Sequence, residues 1–187
     1  MTATITRETA PSTQTSWTID PAHTEVGFSV KHLMISTVRG RFADVRGTIQ
    51  LDGDDRTGAS VEAEIATASI DTRQEQRDAH LRSADFFEVD KYPAITFRST
   101  SVERIKADRY RIVGELTIRA VTREVVLEAT EEGRGRDPWG GERLGFSANA
   151  TIDRREFGLT WNQALETGGV LVSNEIKISI DVEAVKA

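Results

Sequence analysis

Residues Val61 to Ser101 read VEAEIATASIDTRQEQRDAHLRSADFFEVDKYPAITFRSTS. Before Asp71 the small or apolar residues Val61, Ala63, Ile65, Thr67 and Ser69 share one parity, against Glu62 and Glu64 on the other. After Pro93 the alternation resumes as Ile95, Phe97 and Ser99 against Thr96, Arg98 and Thr100. A period of two places one set of side chains on a face kept from water, so both halves read as β-strand. Between them Thr72 precedes Glu75 at the spacing of a capping box, and Asp71 with Gln74 offers a second cap. The body Arg73 to Leu81 has little apolar face. A helix near residues 72–82 therefore belongs on the outside or at the mouth of the sheet. Two long strands joined through a polar helix describe a barrel with a structured rim.

The same alternation runs outward from this stretch. Val26, Phe28 and Val30 share a face; Val38, Gly40 and Phe42 follow, then Val45, Gly47, Ile49 and Leu51. The change of parity between Phe42 and Val45 is what a β-bulge produces. Further on, Tyr110, Ile112, Gly114, Leu116 and Ile118 form a stripe, then Val121, Val125, Leu127 and Ala129, then Leu144, Phe146, Ala148, Ala150 and Ile152. The cleanest strand is the last, with Ile176, Ile178, Ile180 and Val182 against Glu175, Lys177, Ser179 and Asp181. Gly133 to Gly141 reads as a loop. Arg154 to Ser173 keeps neither period, and is expected to make a turn, a short helix over residues 161–166 and a return through Gly168-Gly169. About eight long strands joined by short turns predict an all-β, antiparallel barrel or sandwich, and closure removes exposed edges. A strand of ~12 residues spans about 40 Å; tilted at ~40° it builds a barrel roughly 30 Å tall. That is tall for a barrel filled by side chains alone.

Composition narrows the function classes. The chain has 187 residues, the size of one domain, with a net charge of −6. An acidic surface argues against non-specific nucleic-acid binding and against a polybasic lipid anchor. Cysteine is absent, so disulfides, thiolate nucleophiles and cysteine metal sites are excluded. The first residues, MTATITRETAPSTQTS, lack the apolar run of a secretory signal, and no window has the ~18 apolar residues of a spanning helix. The expectation is a flexible lead-in over residues 1–16, one domain over 17–187, and a cytoplasmic setting.

Few residues offer chemistry. His23, His32 and His80 form no HxH or HExxH pattern, so no metal site is expected. There is no GxSxG elbow and no phosphate-binding glycine loop, so no catalytic residue is assigned. On the helix, Arg73 and Arg77 are four apart and share a face, with Arg82, Asp78 and His80 nearby. They fit either an anionic head group at the barrel mouth or a solvated helix with local ion pairs. The inward stripe, punctuated by Ala63, Gly114, Ala148 and Ala150, fits either a packed core or a hollow apolar tube.

Three stretches resemble one family. They are WTIDPAHTEVGFSVKHLMISTVRGRFADVRGTI from Trp17, SIDTRQEQRDAHLRSADFFEVDKYPAITFRS from Ser69 and RREFGLTWNQALETGGVLVSNEIKISIDVEA from Arg154. In that order they are similar to the YceI-like, or polyisoprenoid-binding, family. The resemblance implies an elongated, eight-stranded lipocalin-like barrel holding an isoprenoid lipid, such as a polyprenyl phosphate or a quinone tail. It implies no established cofactor or metal, and a homodimer in many members. It departs at Ala120, where the family has glycine, and at Glu124, where it has proline; many relatives also carry an export signal. On this basis the expected function is non-catalytic binding, storage or transport of an apolar lipid, with transient membrane contact. The expected wall comprises Val26, Phe28, Val30, Phe42, Ile65, Phe97, Ile112, Leu116, Leu127, Phe146 and Ile152. Trp161 and Leu171 are expected to close an end, and His32, Arg39 and Asn162 to meet the head group. The alternatives are an enzyme using His32 with Asp44 or Asn162, and a stress or interaction protein with a filled core.

Overall fold

The computed structural model describes residues 14–53, 55–166 and 168–187. Among them are β1 (Gln14–Ile19), β2 (Glu25–His32), β3 (Ser36–Phe42), β4 (Val45–Asp52), β5 (Asp55–Ala66), β6 (Ile70–Asp71), α1 (Glu75–Arg82), β7 (Ala94–Arg104), β8 (Arg109–Ile118), β9 (Val121–Arg136), β10 (Glu142–Asp153) and β11 (Val172–Lys186). All pairings are antiparallel and they form one sheet. β1 begins at Gln14, inside the stretch expected to be a lead-in; the rest of that stretch lies outside the described residues.

These strands make eight barrel staves, because three staves are broken. β11 pairs with β1 (Ile19↔Ala184) and with β2 (Ile180↔Val26), so β1 and β2 are one line along β11. β1 pairs with β4 and β2 with β3, which makes β3 and β4 the next line. β4 pairs with β5 and β3 with β6, which makes the third. β7 to β11 complete the ring, and the β1–β11 pairing closes it. The result is a closed, eight-stranded antiparallel barrel, the one of the two architectures left open by the alternation that the family resemblance implies.

The three breaks lie side by side as a crease. Ala43 N–H donates to Ser69 O (3.2 Å), and Ala66 N–H donates to Asp44 O (3.0 Å). Each break has a local cause. Pro21 cannot donate to a ladder, but it suits the start of the 3-10 turn Pro21–His23, which Asp20 caps by accepting from Ala22 N–H (3.0 Å). At Ala43–Asp44 an extra residue keeps Phe42 and Val45 on the inner face, both buried, despite their odd spacing. The third is a 3-10 turn, Thr67–Ser69.

Three local expectations are corrected. α1 starts at Glu75 and its cap is Gln74, whose side chain accepts from Arg77 N–H (2.5 Å). Asp71 instead accepts from Arg73 N–H, and Thr72 donates through N–H and hydroxyl to Asp78. Residues 161–166 are not helical. A 3-10 turn at Arg154–Phe157 is followed by an extended loop with one bridge, Ala164↔Val170. A helix there would need its own carbonyls as acceptors, whereas Arg154 claims those of Leu159 and Trp161. Finally, Gly133 to Arg136 belong to β9 rather than a loop; a register shift at Gly145/Phe146 absorbs the change in pairing. The β8–β9 turn keeps the backbone of a glycine turn without the glycine: Arg119 and Ala120 have φ of 51° and 61°.

Candidate functional site

The barrel is solid at one end and hollow along most of its length. At the solid end Trp17, Leu51, Leu144 and Ala184 meet, each no more than 1% exposed. Away from that end the inward stripes are only half-buried. On β11 the outward Glu175, Lys177, Ser179 and Asp181 are exposed, yet the inward Ile176, Ile178, Ile180 and Val182 are also not fully covered. They face a cavity of ≈ 270 Å³. Voids in a packed core rarely exceed a water molecule, so this space is far more than packing leaves and approaches the ~300 Å³ at which small-molecule pockets begin.

Specific residues keep it open. Ala63, Ala148 and Ala150 line the wall where larger side chains would fill it. Two phenylalanine rings lie against the wall because the neighbouring strand has a glycine beneath them. A Cβ at Gly40 would stand 2.4 Å from Phe28 Cζ, and one at Gly114 2.4 Å from Phe97 Cζ. The missing methyls leave room for each ring to fold sideways instead of projecting into the lumen.

Two buried arginines interrupt an otherwise apolar lining that includes one tyrosine. Near the solid end Arg56 makes a two-pronged pair with Glu131 (3.0 and 3.1 Å) and donates to Gly53 O (3.1 Å). Its charge is neutralised in place. Arg154, at the other end, has no carboxylate hydrogen-bond partner among the described residues. Its Nε donates to Ser173 O, Nη1 to Leu159 O and Trp161 O, and Nη2 to Val172 O and Asn174 Oδ1. All five donors meet neutral acceptors, and burial lowers its pKa from the ordinary arginine value. Arg154 is therefore a clamp for the Gly158–Asn174 connection, leaving a positive charge close to the cavity but no free donor.

Aromatic and aliphatic groups from the helix region cap this end. Leu81, Phe86 and Phe87 reach the cavity. Trp161 stacks edge-on to His80 (4.7 Å) and against Phe86 (5.3 Å), behind the wall. The helix cations have local tasks: Arg77 donates to the Thr72 hydroxyl and carbonyl, and Arg82 to Ala68 O and Ile70 O. Of the two readings of these arginines, local pairing describes Arg77 and Arg82.

All eleven residues expected to form the wall line the cavity: Val26, Phe28, Val30, Phe42, Ile65, Phe97, Ile112, Leu116, Leu127, Phe146 and Ile152. The five assigned to its end or to a head group do not. His32 ends β2, and Arg39 is exposed on the outer face. Trp161 lies behind Phe86. Asn162 pins its own loop, donating to Val172 O (2.7 Å) and accepting from Val172 N–H (3.1 Å). Leu171 uses its carbonyl to hold Leu33 N–H (2.8 Å). Nor does His32 meet Asp44: its pairing partner Ser36 lies eight residues from Asp44 along the stave, roughly 26 Å. None of His32, Asp44 and Asn162 lines the cavity.

Among the described residues one trio, Asp20, His23 and Glu183, has metal-ligand spacing. A guanidinium already lies between its carboxylates. Arg143 donates to Asp20 (2.9 Å), to Glu183 and to Asp137 (2.9 Å), which together raise its pKa. Hydrogen bonds from His23 and Arg143 hold Asp20 down at about 2. This cluster braces the outside of the solid end.

Comparison with known proteins agrees with the architecture. The model of the YceI-like domain matches residues 17–184. A UPF0312 protein of Staphylococcus aureus (strain USA300) is 37% identical over 170 residues, covering 90% of this chain and 96% of that protein. The Campylobacter jejuni YCEI protein superposes with a TM-score of 0.73 at 36% identity, over 90% of this chain and 96% of the other. Burkholderia cenocepacia BcnA has the same fold, with a TM-score of 0.77 at 21% identity over 88% and 98% of the two chains. A polyisoprenoid binding domain from Saccharophagus degradans shares it at 0.66 and 13%, over 92% and 99%. A closed eight-stave barrel, a helix packed at one end of an apolar tube and a family match from Trp17 to Ala184 lead to one conclusion: the chain belongs to the YceI-like family.

Proposed function

We propose that the protein is a non-catalytic carrier that binds, stores or transports a long isoprenoid lipid of polyprenyl phosphate or quinone type. The observation that carries this reading is the hollow, apolar tube, kept open by Gly40, Gly114 and small wall residues. Each methylene brought into it from water contributes ~0.8 kcal/mol. The lipid class is supported by family membership and by the Saccharophagus degradans neighbour described as a polyisoprenoid binding domain. Arg154 adds a positive field near one end, which favours an anionic head group without a direct hydrogen bond from its guanidinium. A cytoplasmic setting and a homodimer belong to this reading and are checked by cell fractionation and sedimentation velocity.

The test is native mass spectrometry of freshly purified protein, with lipid extraction, beside an Ala150→Phe variant. Ala150 lines the cavity beside its ladder partner Ile178, where a phenylalanine ring would project into the lumen. The expected result is a bound isoprenoid in the wild type and none in a folded variant. A wild type that arrives empty and takes up no added prenyl lipid would falsify the reading.

A further inference from the structure

The β2–β3 connection carries an arrangement that stability does not account for. Ile35 N–H donates to His32 O (3.1 Å), closing a two-residue turn in which Leu33 and Met34 have φ of 54° and 59°. This left-handed pair is the backbone of a type I′ turn, which favours Asn-Gly; large side chains are strained there. Met34 is 68% exposed and Ile35 83%. The neighbouring loop adds Val170, 36% exposed, and is tied to the tip by the Leu33–Leu171 hydrogen bond. Apolar side chains are thus held in water on a backbone that disfavours them.

Local charge identifies what covers them. The whole chain is acidic, yet Lys31 to Arg41 contains Lys31, His32, Arg39 and Arg41 and no acid. Arg41 is engaged by Glu25 (3.6 Å) and Asp71 (3.5 Å). Lys31 and Arg39 are exposed and have no acidic partner among the described residues. The other end of the barrel also exposes apolar groups, Trp139 and Ile105, but there acids stand among the cations. Trp139 sits between Asp137 and Glu142, and Ile105 is followed by Lys106 and Asp108. An apolar tip backed by unpaired cations is complementary to an anionic bilayer, where lipid phosphates meet the cations and the acyl region takes the side chains.

The tip also adjoins the tube. Val30 and Val172 line the cavity, and between Val172 and Ile176 the strand β11 loses its register against β2. Met34 follows Val30 by four residues, in the turn that ends β2.

We propose that the Leu33–Ile35 turn, with Val170 beside it and Lys31 and Arg39 behind it, docks the barrel on an anionic phospholipid surface with which the tube exchanges its apolar chain. The exchange rests on the carrier reading; the docking does not. The test is flotation of the full chain with vesicles. Wild type is expected to float with mixed phosphatidylglycerol–phosphatidylcholine vesicles, to release as salt is raised, and not to float with phosphatidylcholine alone. M34G/I35S places glycine where φ is positive, so the turn is retained, and flotation should fall at least ~10-fold. K31E/R39E should fall similarly. Loading of each variant from detergent-solubilised polyprenyl phosphate, read by native mass spectrometry, should be unchanged. Wild type that stays down with anionic vesicles, or M34G/I35S that floats as well as wild type, overturns the docking. Failed loading from detergent in wild type overturns the carrier reading instead. A sedimentation shift of M34G/I35S in the absence of vesicles, with flotation intact, overturns the docking by assigning the tip to a second copy of the chain.

Discussion

Trp17 and Ile178 face the axis of the same barrel and obey the same alternation, but Trp17 is 1% exposed and Ile178 borders a void. The difference lies in what stands across from each. Trp17 meets Leu51, Leu144 and Ala184, whose volumes close the cross-section. At the level of Ile178 the paired residue on β10 is Ala150, and on β2 it is Phe28, whose ring lies over Gly40. Alternation determines which way a side chain faces; the summed volume at each level determines whether the lumen closes.

The strongest way to break this comparison is to truncate both residues. Trp17→Ala should lose ~3–5 kcal/mol in denaturant unfolding, because it empties a packed section. Ile178→Ala removes atoms already bordering a cavity and should lose only about 1 kcal/mol. Equal losses would show that the tube wall is packed after all. The next effect is at the far end. Arg154→Met leaves the carbonyls of Leu159, Trp161 and Ser173 without their donor and Val172 O with Asn162 alone, a loss of about 2–3 kcal/mol. Amide exchange should quicken in residues 158–171 while the Trp17 end stays protected; uniform quickening would mean that the two ends are not separable.

The smallest effect sharpens the comparison from the solid end, through acid. Asp20 has a folded pKa of about 2 against an ordinary 3.8, because His23 and Arg143 hold its charged form. Its contribution to stability is present above pH ~4 and is lost as pH falls through about 2. The melting temperature of the wild type should therefore decline more steeply over that window than that of Asp20→Asn. Parallel curves would remove Asp20 from the brace.

The wall was legible in the sequence because a period of two is a local property that survives folding. The parity change at Phe42–Val45 likewise shows in the primary structure. The ends were not legible, since irregular backbone has no period to read: Trp161, Asn162 and Leu171 lie in a segment organised by Arg154, whose partners are up to 20 residues away. His32 and Arg39 are on regular strands, but a head-group role depends on depth along the tube, which alternation does not report. Two signals were available. Phe86-Phe87, a short turn beyond a polar helix, must find cover and finds it on the cavity. A glycine on an inward stripe, as at Gly40, implies a large neighbour across the ladder. The Gln74 cap displaced the expected Thr72 box because Asp78 captured Thr72 first.

The closure of the ring between β1–β2 and β11 has a consequence for how the molecule is made. Trp17 pairs opposite Lys186, so the first described stave waits for the last one to leave the ribosome. Until then β1–β2 and β10 each lack a neighbour, and the inner faces of the other staves have no completed wall to shelter behind. Contacts this distant along the chain slow folding and prolong the exposure of apolar strands. The nascent chain should therefore depend on holdase chaperones until β11 has emerged. Loss of Ala184, Val185 and Lys186 should unseal the barrel at its solid end and leave an aggregation-prone chain.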